Sequence, residues 1–242
     1  MELIVKHLKK KIDDTEILKD INLQINSGEA VALVGANGAG KSTLINCILN
    51  IYTRYSGEIL FDGLDVKSKK CDKKRKDITF MLDTTGLFAT LNAWDNIEFY
   101  DRIYNPDSSA DERKTRITNI FKKISLEGKE KQYVTKYSKG MKQRLAIGRT
   151  MVTSPRLIVL DEPYLGLDFE GKNFLTQYLI DLKKTGCTIL LSSHDLTEIE
   201  KVCDKAIFIK KGELKAENDL NKCNDMDSKI STLEEMYAKV LM

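Results

Sequence analysis

The sequence predicts an α/β fold built around a mostly parallel β-sheet. Short, wholly apolar segments of strand length, such as residues 30–34 and 157–160, alternate with segments whose apolar residues follow helical spacing. A strand that is apolar at every position is buried on both faces, which requires helices on both sides of a parallel sheet. A glycine-rich turn after residues 30–34 leads directly into a predicted helix, as this class of fold requires.

Composition sets limits on function. The chain has 242 residues, of which 42% are hydrophobic and 31% charged, so it can bury a large core. With 39 Lys and Arg against 36 Asp and Glu, the net charge is +3, which gives no broad field for binding nucleic acid. The five cysteines include no C-x-x-C pair and only two histidines occur, so no zinc site or disulfide framework is expected.

The elements follow in order along the chain. Residues 21–25 alternate apolar and polar side chains, as in a half-buried strand, and residues 92–153 have mainly helical character. No apolar run approaches the roughly 20 residues that span a bilayer, and the N-terminus does not read as a signal peptide. The other predicted strands cover residues 3–5, 30–34, 58–61, 157–160, 188–191 and 206–209. Helices are predicted at 41–49, at about 174–182, after Asp195 as N-cap, and at 233–241. Residues 217–229 are predicted to form a loop.

Residues 35–42 match the phosphate-binding pattern G-x-x-x-x-G-K-S between a predicted buried strand and a helix. Glycines let the main chain wrap closely around phosphate, and the helix N-terminus adds partial positive charge. Lys41 would reach the β- and γ-phosphates, and the Ser42 hydroxyl would bind Mg²⁺. The candidate nucleotide-binding residues of this segment are Gly35, Asn37, Gly38, Ala39, Gly40, Lys41, Ser42 and Thr43.

A second apolar strand ends in two acids, Asp161 and Glu162. The strand delivers them to the edge of the sheet where ligands bind in such folds. Asp161 would hold Mg²⁺ through water or orient Ser42, and Glu162 would act as general base toward an attacking water.

With these motifs, the chain resembles the ATP-binding subunit of ATP-binding-cassette (ABC) transporters, over about residues 3–214. The resemblance implies a P-loop NTPase core with a mostly parallel sheet, an N-terminal antiparallel β subdomain and a helical insertion. It also implies a single domain over residues 1–242, with the helical subdomain at about 84–153 and a C-terminal tail at 218–242.

Residues 137–144 resemble the family's signature loop L-S-G-G-Q, with Ser138 and Gly140 matching and Tyr137, Lys139 and Met141 departing from it. In that family the loop contacts nucleotide bound to the other subunit. The resemblance therefore implies nucleotide contacts at Ser138, Lys139, Gly140 and Met141, and at Asp168 in the loop after the catalytic acid. Residues 192–195 resemble the segment that carries the family's switch histidine, here His194.

Two positions depart from the family. Its glutamine beside the helical insertion corresponds to Asp83, which is shorter and ionised and could bind Mg²⁺ through water. Its adenine-stacking aromatic corresponds to Ile12, which offers apolar contact but no ring, so GTP could also be accepted.

The sequence leaves two interpretations open for each of two features, an apolar group and a basic run. Phe88, Leu91 and Trp94 lie near the expected docking surface for a membrane partner, and they either contact that partner or belong to the core. The basic run at 67–76 is either a solvated loop or a contact for anionic headgroups. It has no interleaved aromatic residues, which disfavours nucleic acid.

The resemblance implies a Mg-dependent ATP hydrolase that powers a separate integral membrane permease. Two copies, or this chain and a paralogue, would enclose two ATP molecules at the inner face of the cell membrane, with membrane contact through the permease. Export of a drug, antibiotic or bacteriocin-like peptide is the favoured role. An importer subunit, a non-transport cassette ATPase and a regulatory nucleotide-binding module are the alternatives.

Overall fold

The computed structural model describes residues 1–82, 86–222 and 226–241. Asp83, one of the predicted metal ligands, lies outside the described residues. The described chain forms two sheets and a group of helices, with one hydrophobic core on each face of the larger sheet and a third among the helices.

The larger sheet has six strands in the order β10-β9-β3-β8-β7-β6. The neighbours from β9 to β6 are parallel and β10 is antiparallel to β9, which confirms the mostly parallel sheet. Every residue of β3, β7 and β8 is buried, as expected for strands that consist almost entirely of apolar residues. The strands are β3 (Ala30–Val34), β6 (Ile78–Met81), β7 (Leu157–Asp161), β8 (Thr188–Ser192), β9 (Lys205–Lys210) and β10 (Glu213–Asp219).

The smaller sheet is antiparallel, with the strand order β2-β1-β4-β5. It confirms the expected N-terminal antiparallel unit, and its apolar face packs against helix α1 (Lys41–Ile48). Its strands are β1 (Leu3–Ile12), β2 (Thr15–Ile25), β4 (Ser56–Phe61) and β5 (Leu64–Asp65).

Three helices follow β6: α2 (Ala93–Tyr104), α3 (Ala110–Lys123) and α4 (Lys139–Thr150). Each begins at a side-chain cap that accepts a hydrogen bond from the first turn, with Asn92, Ser109 and Ser138 as the capping residues. Ile117, Ile120, Phe121 and Ile124 lie in the core between these helices, as their helical spacing predicts.

Helices α5 (Phe169–Lys184), α6 (Leu196–Val202) and α7 (Met226–Leu241) cover the second face of the larger sheet. The predicted helix over 233–241 is part of α7, but the prediction of a loop over 217–229 was wrong at both ends. β10 runs to Asp219, and α7 already begins at Met226. Within the three described ranges, no helix has the length and apolar character needed to cross a membrane.

The basic run at 67–76 contains two short 3-10 turns, Lys69–Cys71 and Lys74–Asp77. Lys74 pairs with Asp62 at 2.6 Å, and Arg75 donates to the carbonyl of Val66 at 2.6 Å. Part of the run is therefore fixed by intramolecular contacts.

Candidate functional site: a phosphate loop facing a carboxylate and a histidine

The phosphate loop lies between β3 and α1, at the carboxyl edge of the parallel sheet. Its last residue, Gly40, has φ of 110°, which a residue with a side chain rarely adopts. A Cβ atom at Gly35 would lie 2.5 Å from the carbonyl oxygen of Ile209, so only glycine fits against β9 there. Both glycines therefore hold the main chain in the path that leads its N–H groups toward a bound phosphate.

Lys41 begins α1, and its side chain is only 6% exposed. Its Nζ atom donates to the carbonyl oxygen of Gly35 at 2.6 Å and lies 3.5 Å from Glu162 Oε1. The ammonium group thus lies between the loop and the carboxylate strand. A phosphate entering the loop would meet a buried cation at its floor.

Ser192, a residue for which the sequence predicts no role, positions both Asp161 and Glu162. Ser192 ends β8 directly opposite Asp161 in the parallel pairing. Its hydroxyl donates to Asp161 Oδ1 at 2.5 Å and accepts from the main-chain N–H of Glu162 at 2.9 Å. One hydroxyl therefore fixes both acids, and the signal for it was that β7 and β8 end at the same edge.

Glu162 has φ of 47°, an uncommon conformation for a residue with a side chain. Its Oε2 atom lies 2.9 Å from His194 Nδ1. Its Oε1 atom is buried and accepts no hydrogen bond from the described residues, although the Lys41 ammonium lies 3.5 Å away as an ion pair. A buried carboxylate oxygen that accepts no hydrogen bond is suited to accept a proton from a water molecule. The structure thus brings Lys41, Glu162 and His194 together.

The loop and Glu162 border a cavity of about 500 Å³. Its lining residues are Ile17, Ala36, Asn37, Gly38, Gly40, Lys41, Ser42, Thr43, Glu162 and Leu165. Ile12 is not among them: it lies at the end of β1 and lines a neighbouring cavity. The hairpin residue beside the phosphate loop is Ile17, which the sequence did not single out.

The residues present fit Mg-ATP. The buried Lys41 ammonium and the glycine loop suit a triphosphate, and the Ser42 hydroxyl and Asp161 carboxylate supply oxygen ligands. Magnesium characteristically takes one or two protein oxygens together with phosphate and water, so a larger cluster of carboxylates is not required.

Ser138, Lys139, Gly140 and Met141 form the start of α4 and do not line the cavity beside their own phosphate loop. Ser138 Oγ accepts from the N–H of Met141 at 3.2 Å, as its predicted capping role requires. The Lys139 stem packs so closely on Gly166 that a Cβ atom there would lie 3.2 Å from it.

The same helix holds the loop that follows Glu162. Gln143 Nε2 donates to the carbonyl oxygen of Pro163 at 2.9 Å, and Arg144 donates to Asp168 Oδ1 at 2.5 Å. The N–H of Gly171 and the Arg144 guanidinium lower the pKa of Asp168, which caps α5. Gln143 and Arg144 were not predicted as site residues, because their contacts depend on how α4 packs against this loop.

The two aromatic candidates near the expected docking surface differ. Trp94 is half-buried and its ring stacks on Phe121 in the core of the helical region, with 6.2 Å between ring centroids. Phe88 is exposed and meets the exposed ring of Phe99 edge-on at 4.8 Å. The core interpretation therefore holds for Trp94, whereas Phe88 belongs to a surface aromatic group.

This loop, lysine and pair of acids on a parallel sheet define a P-loop nucleotide-binding protein. A sequence model of the family described as "ABC transporter" matches residues 18–165, and the chain belongs to that family as its ATP-binding domain. The chain is 33% identical over 206 residues to "ABC transporter ATP-binding protein NatA" of Bacillus subtilis, covering 85% of this chain and 82% of the relative. It is 32% identical to "Lantibiotic transport ATP-binding protein SrtF" of Streptococcus pyogenes, over 93% of this chain and 94% of that one.

Among solved structures, the ATP-binding cassette MJ0796 in a dimeric post-hydrolysis state bound to ADP and Pi has a TM-score of 0.82 at 28% identity. The match covers 90% of this chain and 98% of that one. These comparisons confirm the predicted fold and the reading of the chain as an ABC-type ATPase.

Proposed function

We propose that this chain hydrolyses Mg-ATP at the Lys41–Glu162–His194 site and powers a separate membrane permease that exports an antibiotic, drug or bacteriocin-like peptide. The observation that carries the proposal is the Glu162 carboxylate. One of its oxygens contacts His194, and the other is buried 3.5 Å from the Lys41 ammonium and accepts no hydrogen bond within the described part of the chain.

In this mechanism the phosphate loop binds the triphosphate through its main-chain N–H groups, and Lys41 neutralises the β- and γ-phosphates. Ser42 and Asp161 would hold Mg²⁺, which supplies charge stabilisation at the phosphate oxygens. Glu162 Oε1 accepts a proton from the attacking water. His194 orients the Glu162 carboxylate through Oε2 and reaches the γ-phosphate. Asp83 is proposed as a further, water-mediated metal contact.

The proposal includes a dimer of cassettes, either two copies of this chain or this chain with a paralogue. Ser138, Lys139, Gly140 and Met141 do not line the cavity beside their own loop, and we propose that they complete the site of the partner, with Asp168 nearby. The dimeric state of the similar MJ0796 cassette supports this arrangement.

The permease would dock where Phe88, Phe99 and Ile103 expose apolar surface. Such an apolar group on a protein surface is typical of an interaction site. The chain would then lie at the cytoplasmic face of the membrane and reach it only through the permease. The export role is supported by the likeness to SrtF, which is described as a lantibiotic transport protein.

The test compares ATP hydrolysis and ATP binding in the wild type, Glu162→Gln and a control, Glu127→Gln. Glu127 is an exposed glutamate in the helical region. Removing a general base should lower kcat at least about a hundredfold while nucleotide still binds. The control should match the wild type. Equal turnover in Glu162→Gln and wild type would contradict the role of Glu162.

A further inference from the structure

A second cavity, of about 740 Å³, lies beside the phosphate-loop cavity in the N-terminal unit. It is bordered by the β1–β2 hairpin and by the segment that joins α1 to β4. Its lining residues are Lys9, Lys10, Lys11, Ile12, Asp13, Glu16, Tyr52, Arg54, Tyr55 and Ser56.

Two elements connect the cavities. On α1, Thr43 lines the first cavity, and Asn46 lies one turn further along the same half-buried face. The N–H of Tyr52 donates to the Asn46 carbonyl oxygen at 3.0 Å, which returns the chain to α1 at this turn. With a rise of 1.5 Å per residue, Asn46 lies only about 4.5 Å further along the helix axis than Thr43.

The hairpin makes the second connection. Ile17 lines the first cavity and its neighbour Glu16 lines the second. The strand pairing is irregular here, since Lys10 pairs with Leu18 and Lys11 pairs with Glu16. A ligand whose phosphates occupy the loop would therefore extend its other end along α1 and the hairpin toward the second cavity.

The second cavity is suited to a flat, electron-rich ring. Tyr52 is 36% exposed, and Lys10 Nζ lies 5.2 Å from its ring centroid. Lys10 is itself fixed by a 2.8 Å hydrogen bond to the carbonyl oxygen of Arg54. Ile12 is also partly exposed and lines the same cavity. The cavity thus combines two tyrosine rings, one apolar side chain and an ordered cation. Lys67 Nζ already covers the ring of Tyr55 at 3.5 Å, so Tyr52 is the ring that a base would stack on.

The charges around the cavity are mostly positive. Lys9, Lys11 and Arg54 have no carboxylate within ion-pair distance in the part of the chain that the structure describes, and Asp13 and Glu16 offset only part of this charge. Ammonium and guanidinium groups donate to acceptor atoms on base edges, including N7 and O6 of guanine.

We propose that Tyr52 supplies the ring on which the nucleotide base stacks, in place of the aromatic residue that Ile12 lacks. This inference rests on the proposed nucleotide site and identifies the part of it that binds the nucleoside. Because every base has a π-face, a stacking contact tolerates different bases. The site would accept guanosine as well as adenosine triphosphate.

The experiment measures Kd by calorimetry for three ligands: a β,γ-imido analogue of ATP, the same analogue of GTP, and tripolyphosphate, which has no base. The variants are Tyr52→Ala, Tyr52→Phe and Tyr133→Ala, a control at an exposed tyrosine of the helical region. Tyr52→Ala should weaken binding of both nucleotides about tenfold and leave tripolyphosphate unchanged. Tyr52→Phe and Tyr133→Ala should bind like the wild type.

Unchanged nucleotide affinity in Tyr52→Ala would overturn the proposal. An equal loss for tripolyphosphate would also overturn it, because the effect would then not arise at the base. Lys41→Ala separates the two proposals: if it left binding of all three ligands intact, the phosphate site itself would be refuted, whatever Tyr52 does.

Discussion

Replacing Asp101 with alanine should destabilise the helical region strongly. Asp101 lies on α2 and its side chain is fully buried. Its Oδ2 atom accepts from Arg113 at 3.0 Å, and Oδ1 accepts from Arg116 at 2.5 Å, so two cations of α3 depend on one carboxylate. Arg113 is itself 90% buried and would lose its counter-charge.

The magnitude follows from this burial. Removing one partner of a buried ion pair typically costs about 3–5 kcal/mol, because the remaining charge stays in a medium that solvates it poorly. Arg116 is 31% exposed and can turn toward solvent, which favours the lower end of that range. A loss of about 3 kcal/mol corresponds to a fall in Tm of about 6–12 °C for a chain of this size.

The assay uses the single tryptophan. Trp94 on α2 stacks on Phe121 of α3, so its fluorescence reports the contact that Asp101 stabilises. Thermal and urea unfolding would be compared for the wild type, Asp101→Ala, Asp101→Leu with Arg113→Met, and Asp181→Ala. Asp181 forms an exposed pair with Lys184 and serves as the control.

Asp181→Ala should match the wild type, and the apolar double variant should recover much of the stability that Asp101→Ala loses. If Asp101→Ala and Asp181→Ala unfold alike, the argument from burial is wrong.

Two further predictions concern single buried groups. Ser192→Ala should lower kcat about tenfold with little change in KM, because Asp161 and Glu162 lose the hydroxyl that they share. The control is Ser193→Ala, since the Ser193 hydroxyl accepts from the N–H of Asp195 instead. Equal kcat in the wild type and Ser192→Ala would exclude this role for Ser192. Burial raises the pKa of Glu200, so the folded state holds its proton more tightly than the unfolded state and stability falls as pH rises above about 4.5. Glu200→Gln should therefore raise Tm at pH 7 by a few degrees, with a smaller gain near pH 5; a gain independent of pH would contradict this.

Much of the fold was predictable because the sequences of its central strands are compatible with few environments. β3, β7 and β8 consist almost entirely of apolar residues and can only be buried on both faces. Their order, with a phosphate loop after the first and two acids after the second, then places Lys41 and Glu162 at one edge. The distance between those groups depends on the backbone of Glu162, whose positive φ has no sequence signal.

The failures arise where tertiary contacts override local sequence. Residues 226–229 were predicted as part of a loop, yet Leu233, Met236 and Tyr237 anchor α7 on the core and the helix extends toward its N-terminus as far as Met226. Asp195 precedes α6 as expected, but its carboxylate makes no capping bond. It accepts from Lys172 of α5 instead. Burial alone would raise the pKa of Asp195, and the contact with Lys172 outweighs that effect and lowers it.

The packing of α4 links the residues that resemble the signature loop to the loop that follows Glu162. Gln143 and Arg144 attach α4 to the loop that follows Glu162, through Pro163 and Asp168. Because α4 begins with Ser138, the residues proposed to contact the partner's nucleotide move with the loop that follows the general base. A displacement at one site of the dimer would therefore be transmitted within each chain to the other site, through two hydrogen-bonded contacts of under 3 Å.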